Sequence, residues 1–323
     1  MGSVLDGKTV LVTGGTGSFG RRFISTVLRT AKPRKVIVFS RDELKQVEMQ
    51  KDYAGEKRLR YFLGDVRDRE RCYRAFDGVD VLIHAAALKQ IPTAEYNPFE
   101  VVRTNILGAQ NIIDAAIDRR VGQVVALSTD KASSPINLYG ATKLVSDKLF
   151  TAGNSYVAED NPCHFAVVRY GNVVGSRGSV IPLFKKLAKT GTITLTDTAM
   201  TRFWITLDQA VELVMTALNG MKGGEIFVPK IPSMRMTDLA EAIAPDAKVE
   251  MIGIRPGEKL HEEMISVDDS RRTLEREDHY VILPSISTTE GFEGKPVPAG
   301  FHYSSDKNDQ WLSRDELMAM LDD

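Results

Sequence analysis

Short apolar runs rich in β-branched residues alternate with amphipathic segments along the first half of the chain. Each run is only a few residues long and is bounded by charged or turn-forming residues. This is the pattern of strands that are buried on both faces of a parallel sheet. The runs cover residues 8–13, 35–39, 58–63, 79–84, 121–127 and 162–170. The pattern therefore predicts an α/β fold built on a doubly wound parallel sheet.

The strict alternation weakens beyond residue 180, after a glycine- and serine-rich segment at 171–182. Such a segment is typical of a boundary between two lobes. Beyond it, the pattern predicts a strand at 193–195 and helices at 208–219 and 313–321, the first of which should return to the first lobe. We therefore assign residues 1–178 and 203–229 to a large domain, and residues 179–202 and 230–323 to a smaller α/β substrate-binding lobe.

Composition narrows the class of protein. The chain has 323 residues, of which 43% are hydrophobic and 26% charged, enough for one large core and a smaller one. Its net charge of −1 gives no electrostatic basis for binding nucleic acid or an anionic membrane. Cys72 and Cys163 cannot build a disulfide framework, and no metal site is predicted. No apolar run reaches the roughly 20 residues of a membrane span and no signal peptide is recognisable, so a cytoplasmic protein is expected.

The first predicted strand runs directly into Gly14-x-x-Gly17-x-x-Gly20, and a helical segment follows. Glycines at this spacing allow a tight turn, a close approach of the backbone to a diphosphate, and close packing of helix on strand. The free N–H groups at the start of the helix would then meet the diphosphate. The large domain is therefore predicted to be a Rossmann-type dinucleotide-binding domain.

The end of the second predicted strand bears on the choice between NAD and NADP. An acidic residue at this point would bond the 2′-hydroxyl of NAD, whereas Ser40, Arg41 and the nearby Lys45 suit the 2′-phosphate of NADP. Asp42 leaves NAD open as the alternative. We predict NADP as the cofactor.

Small or polar residues at the other strand ends are expected to line the same crevice. Asp65 would lie near the adenine, and Ala85, Ala86 and Ala87 would let the backbone lie against a cofactor ribose. Asn105 lies inside a helix predicted over residues 98–116, where it either ties that helix to a strand or faces solvent. The remaining cofactor contacts are expected from Thr16, Ser18, Phe19 and Val66.

Tyr139 and Lys143 follow the fifth predicted strand and are one helical turn apart. A phenol with a reference pKa of about 10 is a poor base at neutral pH, so proton abstraction from an alcohol requires a cation nearby. Lys143 would supply that cation and bond the nicotinamide ribose. Thr129, Asp130 and Lys131, at the end of the same strand, add a polar residue and a second acid/base pair. These residues are predicted to carry nicotinamide-dependent carbonyl chemistry.

Cations on predicted loops of the second lobe suit a phosphate-bearing substrate. Arg177, Arg202 and Arg255 are placed on such loops, where each either grips a phosphate as a fork or is an ordinary surface arginine. Lys89 is likewise either a residue of the cleft or a solvated lysine. The full set of expected substrate contacts is Lys89, Asn172, Arg177, Val180, Thr198, Met200, Arg202, Arg255 and Glu258.

The glycine motif, Asp65 and the Tyr139-x-x-x-Lys143 pair together resemble the extended short-chain dehydrogenases/reductases. Within that family the chain is similar, over essentially its whole length, to the inverting UDP-N-acetylglucosamine 4,6-dehydratases. The stretches that carry the similarity are Leu127-Ser-Thr-Asp-Lys-Ala132, Ala87-Leu-Lys-Gln-Ile-Pro-Thr-Ala-Glu-Tyr-Asn-Pro98, Met200-Thr-Arg-Phe-Trp-Ile205 and Arg255-Pro-Gly-Glu-Lys259. Retaining dehydratases are expected to carry Glu where this chain has Lys131. Longer relatives have a membrane-spanning N-terminal region that is expected to be absent here.

The resemblance implies UDP-N-acetylglucosamine as the substrate and an early step of pseudaminic acid or capsule synthesis as the role. It implies that Tyr139 removes the 4-hydroxyl proton as hydride leaves C4. Lys131 then removes the C5 proton, and Asp130 helps the C6 hydroxyl leave as water, before the hydride returns to C6 and C5 is reprotonated from the opposite face. Relatives also suggest a homo-oligomer, with a hexamer as one form.

Two other functions compete with this one. A retaining dehydratase or a 4-epimerase would use the same fold, but an epimerase needs no elimination acid or base. A non-catalytic NADP-binding sensor would not need Tyr139 and Lys143. One chemical difficulty accompanies the first reading. An adjacent Asp–Lys pair favours the two charged forms, which are the wrong forms for Asp130 as acid and Lys131 as base.

Overall fold

The computed structural model describes residues 2–176, 180–285 and 291–322. The strands are β1 (Thr9–Thr13), β2 (Lys35–Ser40), β3 (Leu59–Leu63), β4 (Val81–His84), β5 (Gln123–Thr129), β6 (His164–Tyr170), β7 (Asn172–Val173), β8 (Thr192–Leu195), β9 (Thr201–Ile205), β10 (Ile226–Pro229), β11 (Ser233–Arg235), β12 (Lys248–Met251), β13 (Glu263–Ile265), β14 (Thr273–Glu275), β15 (His279–Ile282), β16 (Lys295–Pro296) and β17 (Tyr303–Ser304). The α-helices are α1 (Ser18–Thr30), α2 (Glu43–Asp52), α3 (Arg69–Ala75), α4 (Ile91–Tyr96), α5 (Pro98–Val102), α6 (Gly108–Asp118), α7 (Leu138–Gly153), α8 (Val180–Ala188), α9 (Leu207–Gly220), α10 (Met236–Ile243), α11 (Val267–Ser270) and α12 (Arg314–Asp322).

One large sheet organises the molecule. Within the described ranges its strand order is β16-β14-β15-β10-β6-β5-β4-β1-β2-β3, and the strands from β10 to β3 run parallel. Helices α1 and α9 pack together on the sheet, and α6 packs against α3 and α7. The order reverses between β1 and β4, so a crevice opens at the carboxyl ends of these strands, where ligands bind in such sheets. The predicted α/β doubly wound fold is confirmed.

The far edge of this sheet differs from the predicted division of the chain. Strands β14, β15 and β16 extend the sheet in antiparallel fashion beyond β10. The sequence assigned these residues to the substrate-binding lobe, because β–α alternation has stopped before them. Antiparallel strands need only short connections and can join a parallel sheet without helices between them. The remainder of the proposed division into domains stays a prediction.

The single helix predicted over residues 98–116 is interrupted. The chain forms α5, a π-helical turn at Arg103–Leu107, and then α6. Asn105 lies in that turn, where its side chain accepts a hydrogen bond from the Leu88 amide and donates to the Leu88 carbonyl and to Thr142. The π turn therefore directs Asn105 to the segment after β4 and to helix α7. Of the two alternatives for Asn105, the link to neighbouring backbone is the one observed.

A second, smaller core lies beside the large one. It is formed by residues of α8, α10 and α12 and of the short strands β8 and β9, with Trp204 fully buried among them. Strand β9 pairs with β7 and β11, and β8 pairs with β12. The cleft between the two cores lies beyond the carboxyl end of β5. No helix in the described part of the chain is both long and apolar enough to cross a membrane.

Candidate active site

The turn that follows β5 carries the Asp130–Lys131 pair. Strand β5 ends at Thr129, whose hydroxyl donates to Asp130 Oδ1 at 2.8 Å, and a short 3-10 turn, Asp130–Ala132, begins there. Lys131 Nζ lies 3.0 Å from the same oxygen of Asp130. The Asp130 side chain is completely buried, whereas the Lys131 side chain is 21% exposed. The pair therefore faces the cleft through the lysine, with the aspartate behind it.

A second carboxylate, that of Glu262, also contacts Lys131. Glu262 Oε1 lies 3.1 Å from Lys131 Nζ, and its side chain is only 3% exposed. Arg202 contributes a further cation, with Nε 3.8 Å from the same Glu262 oxygen. Asp130 Oδ2 and Glu262 Oε2 are both buried, and neither has a hydrogen-bond partner among the described residues. The site therefore contains two buried acids that share one lysine.

Burial and charge act in opposite directions on these groups. Burial raises the pKa of Asp130, and the negative charge of Glu262 adds to the rise against the opposing effect of Lys131. For Lys131, burial alone would lower the pKa, but the attraction of Asp130 and Glu262 is stronger and raises it. Burial would raise the pKa of Glu262, yet Lys131, Arg202 and Lys259 lower it overall. In this arrangement Asp130 favours its neutral form, while Lys131 and Glu262 favour their charged forms.

Helix α7 brings Tyr139 and Lys143 to the same place. The helix is capped by Asn137, whose side chain accepts from the Gly140 amide, and Gly140 packs directly on the catalytic turn. A Cβ atom on Gly140 would lie 2.2 Å from the Lys131 carbonyl oxygen, so this close approach requires glycine. Tyr139 and Lys143 are both buried.

Tyr139 has Lys131 as a neighbouring cation. Burial raises the pKa of Tyr139 to about 12, and the charge of Lys131 acts to lower it, assisted by a hydrogen bond with Thr129. Lys143 donates to the Leu127 carbonyl oxygen at 2.7 Å. Burial lowers the pKa of Lys143. The role of Lys143 in stabilising the phenolate stays a prediction.

A buried ion pair supports the floor of the site. Asp147, on α7, lies 3.2 Å from Arg169 on β6 and accepts a hydrogen bond from Ser128 on β5. Arg169 also donates to the carbonyl of Met264. These contacts join β5, β6, α7 and the β13 segment, which all contribute residues to the site.

The glycine loop after β1 can hold a dinucleotide diphosphate. Gly14 has φ +64°, and a Cβ atom there would lie 3.0 Å from the Ala86 amide nitrogen. At Gly20 a Cβ atom would lie 2.6 Å from the Gly15 Cα, so only glycine lets α1 begin this close to the loop. Helix α1 has Gly17 as its N-cap, without a side-chain cap and without an acid in its first turn. Its first N–H groups are thus available to an anion.

The ends of β2 and β3 form a polar cluster at the same edge. The Ser40 hydroxyl bonds to Thr16, while Lys45 forms an ion pair with Asp42, which caps α2. Arg41 is exposed and lies 3.6 Å from Asp65. Asp65 is also held by two hydrogen bonds from the Arg67 guanidinium. Arg41 is therefore the side chain of this cluster that is most available to a phosphate.

The cleft encloses a cavity of about 280 Å³. Of the predicted substrate residues, Asn172, Val180, Met200, Arg202, Arg255 and Glu258 line it, together with Lys131. Thr198 lies on an exposed turn and does not line the cavity, and Lys89 is an exposed side chain close enough to Lys131 for the two charges to interact. Arg177 lies outside the described residues.

Arg202 lies on strand β9 and is buried, so its predicted position on a loop was wrong. Its guanidinium donates to the carbonyl oxygens of Thr201, Lys259 and Leu260. These contacts occupy the donors that would form a phosphate fork. Arg255, by contrast, is exposed at the rim, and although its carbonyl oxygen accepts from the Glu258 amide, its side chain forms no hydrogen bond or ion pair with other residues that the structure describes.

Sequence reasoning missed Glu262, Lys259 and Asn137, which also line the cavity. Lys259 donates to the Ser133 carbonyl, and Asn137 donates to the Gly257 carbonyl. Glu263 accepts hydrogen bonds from Ser133 and from Ser134. The signal available in the sequence was the cluster of charged residues at 255–263, of which only Arg255 and Glu258 were selected.

Comparisons with known proteins agree with this geometry. A family model described as "Polysaccharide biosynthesis protein" matches residues 10–284. A protein of Campylobacter jejuni subsp. jejuni serotype O:23/36 (strain 81-176), named UDP-N-acetylglucosamine 4,6-dehydratase (inverting), is 53% identical, with 98% of each chain covered. A protein of Rickettsia canadensis (strain McKiel), named UDP-glucose 4-epimerase, is 41% identical over 85% of this chain and 82% of the relative.

Solved structures show the same fold. Pen from Bacillus thuringiensis superposes with a TM-score of 0.90 at 40% identity, with 98% of this chain and 99% of that chain covered. DesIV from Streptomyces venezuelae, a dTDP-glucose 4,6-dehydratase solved with NAD bound, has a TM-score of 0.69 at 26% identity. The match covers 78% of this chain and 86% of DesIV.

Proposed function

This chain belongs to the polysaccharide biosynthesis protein family, and from that premise we propose that it is an inverting UDP-N-acetylglucosamine 4,6-dehydratase. The observation that carries the proposal is the Asp130–Lys131 pair, which faces the cleft directly beside Tyr139. A proton acceptor for an alcohol and a separate acid/base pair are what an oxidation followed by an elimination requires. The 53% identity to a relative that bears this name supports the same activity.

We propose NADP as the cofactor. When bound, it supplies a hydride acceptor for the sugar C4 and a hydride donor for C6. The loop Gly14–Gly20 and the first turn of α1 would hold its diphosphate, and Arg41 would face the 2′-phosphate. Ser40 and Lys45 are engaged with Thr16 and Asp42, so we assign them a supporting role at this position.

The residues of the chain divide the proton transfers among them. Tyr139, as the phenolate that the adjacent Lys131 favours, removes the proton of the 4-hydroxyl and becomes the neutral phenol. The ketone at C4 acidifies the C5 hydrogen. Lys131, as the amine, removes that proton, and Asp130 donates a proton to the departing C6 hydroxyl, which leaves as water. C5 is then reprotonated from the opposite face by solvent water, and Tyr139 returns to solvent the proton that it took from the 4-hydroxyl.

An adjacent Asp–Lys pair favours the two charged forms, which are the wrong forms for an acid and a base. The surroundings of the pair relieve this difficulty for Asp130 but not for Lys131. Burial and Glu262 together favour the neutral form of Asp130, which is the form that an acid needs. Lys131 remains in its charged form, from which a proton must be removed before it can act as a base.

The nucleotide of the substrate is proposed to lie along the rim of the cavity. Arg255 would contact the UDP diphosphate, and Glu258 would accept hydrogen bonds from the nucleotide. Arg202, whose donors are used by backbone carbonyls, would fix the position of the 258–262 segment. The cytoplasmic location, the homo-oligomeric state and a role in pseudaminic acid or capsule synthesis stay predictions.

Incubation with UDP-N-acetylglucosamine in deuterated water, followed by NMR, tests the proposal. An inverting dehydratase yields a 6-deoxy-4-keto sugar with deuterium at C5 and the configuration at C5 inverted. A retaining enzyme yields the other C5 configuration. The similarity to proteins named UDP-glucose 4-epimerase is the reason to look also for a product that keeps its C6 hydroxyl and changes only at C4. Either of these two outcomes would contradict the assignment.

A further inference from the structure

Lys131 has two carboxylate neighbours, although the proposed chemistry uses only one of them. Asp130 and Glu262 lie 3.0 Å and 3.1 Å from Lys131 Nζ. Both acids are buried, and each has one oxygen without a partner among the residues described. A buried carboxylate is costly unless it is paired, and the second cation of the site, Arg202, lies farther away, at 3.8 Å from Glu262. Both acids are therefore within hydrogen-bond reach of Lys131, and a proton can pass between Lys131 and either of them.

The backbone of Glu262 is fixed by two hydrogen bonds to Ser305. Its amide donates to the Ser305 hydroxyl, and its carbonyl accepts from the Ser305 amide. Arg202 Nε stands 3.8 Å from the Glu262 carboxylate. Such fixation of a group that touches the base is typical of the supporting residues of an active site.

We propose that Glu262 is the positioning residue that accepts the surplus proton of Lys131 and so converts it into a base. This inference rests on the proposed dehydratase function. Lys131 and Glu262 are both charged in the resting site, so the transfer follows the binding of the sugar, which excludes water and favours a neutral pair over two buried charges. The Lys131 N–H bond nearest Glu262 then breaks and an O–H bond forms on Glu262. Lys131 becomes a neutral amine, while Asp130 keeps its own proton. Acid and base are then both in the form that the elimination needs.

The proton count closes without any further reagent. The trio of Asp130, Lys131 and Glu262 carries two mobile protons in its resting state, one on Asp130 and one on Lys131. After the transfer they lie on Asp130 and Glu262. In the elimination Lys131 gains the C5 proton and Asp130 loses its proton to the leaving oxygen, so the trio still holds two. Return of a proton from Lys131 to Asp130, and from Glu262 to Lys131, restores the resting state.

Glu262→Gln tests the proposal, because an amide keeps the size and hydrogen bonding of the side chain but cannot take up the proton. Without Glu262 the remaining Asp130 and Lys131 form a simple ion pair, with neither acid nor base in its active form. We expect the exchange of the C5 hydrogen with solvent to fall by about 10²-fold or more. Tyr139 is untouched, so oxidation at C4 and reduction of the cofactor in the first turnover should persist.

A second readout needs no substrate. The wild-type protein should show the infrared carbonyl absorption of a buried, protonated carboxyl that disappears in Asp130→Asn. It should also disappear in Glu262→Gln, where Asp130 ionises. Glu275→Gln serves as the matched control. Glu275 lies on β14, near the far edge of the large sheet, and forms an ion pair with Lys230. This change should leave both the carboxyl band and the C5 exchange rate as in wild type.

The outcomes separate the alternatives. Wild-type exchange in Glu262→Gln, or an unchanged carboxyl band, overturns the proposal. So does a simultaneous loss of exchange and C4 oxidation, which would indicate a merely structural role. Glu262→Asp restores a carboxylate and should recover part of the exchange, and a rate no better than that of Gln would also overturn the idea. If wild type does not dehydrate the sugar at all, the proposed function fails, while the infrared comparison still reports on the trio.

Discussion

Replacement of Lys131 by Ala isolates the C5 proton transfer from the oxidation at C4. Lys131 is the group between Asp130 and Glu262 that faces the cleft, and it also acts on Tyr139. Its removal should slow the oxidation at C4 without preventing it, because Tyr139 loses a cation that favours its phenolate, and it should abolish the base for C5. We therefore expect a trapped 4-keto sugar together with reduced cofactor.

The size of the effect follows from the role. A positioned general base contributes about 10²–10⁴-fold to a rate, which corresponds to about 3–5 kcal/mol at 1.36 kcal/mol per tenfold. The loss of folding stability in Lys131→Ala should be smaller than the energy of the broken ion pair alone suggests. A contact at 3.0 Å is worth about 5 kcal/mol at an effective dielectric constant of about 20, but protonation of one freed carboxyl offsets much of this loss.

Two signals recorded together give the assay: uptake of deuterium at C5 by NMR and absorbance of the reduced cofactor. Tyr139→Phe provides the contrast, since it should form no reduced cofactor at all. Lys230→Ala, which removes a lysine from an ion pair outside the cleft, controls for the loss of a charge. Wild-type C5 exchange in Lys131→Ala would refute the reasoning and leave Lys131 as a structural partner of Asp130.

Three further changes test other parts of the molecule. Arg41→Ala should weaken binding of NADP much more than that of NAD in a titration, and equal losses would contradict the assignment of the 2′-phosphate. Arg255→Ala should cost about 1.5–3 kcal/mol of substrate affinity by calorimetry, since a charge-assisted contact to the diphosphate is lost, and unchanged affinity would exclude that contact. Asp147→Ala should lower the free energy of unfolding by about 3–5 kcal/mol in urea, because it leaves Arg169 buried without its main partner, and a loss below about 1 kcal/mol would contradict this view of the pair.

The residues that were predictable from sequence are those whose role depends on neighbours along the chain. Gly14, Gly17 and Gly20 follow a strand and precede a helix, and this context together with their spacing predicts a diphosphate loop. The Asp130–Lys131 pair likewise comes at the end of a strand and just before Tyr139. In both cases the geometry of a parallel sheet places the end of the strand at the site.

Residues brought in by tertiary structure were harder to predict. Glu262 reaches Lys131 because the segment at β13 lies against the Asp130–Ala132 turn. These two parts of the chain are about 130 positions apart, as the hydrogen bond between Ser133 and Glu263 also shows. Arg202 was placed on a loop, although its neighbours are β-branched or aromatic and continue a strand. The π turn around Asn105 could not be predicted from the hydrophobic pattern. A π turn differs from an α-helical turn by one residue, and the residue types in this stretch are those of an ordinary helix.

The segment from Arg255 to Glu263 has a consequence for anyone who wishes to redesign this protein. Within nine consecutive residues it passes from Arg255 at the rim of the cavity, the proposed nucleotide contact, to Glu262 beside Lys131, and then to Glu263, which accepts a hydrogen bond from Ser133. The proposed substrate contact and the neighbours of Lys131 therefore lie on one stretch of backbone. A loop graft that changes substrate binding would also disturb the surroundings of Lys131. The proposed dinucleotide site is built differently, because its glycine loop follows β1 and the Arg41 cluster follows β2, and a hydrogen bond between Thr16 and Ser40 joins the two strand ends.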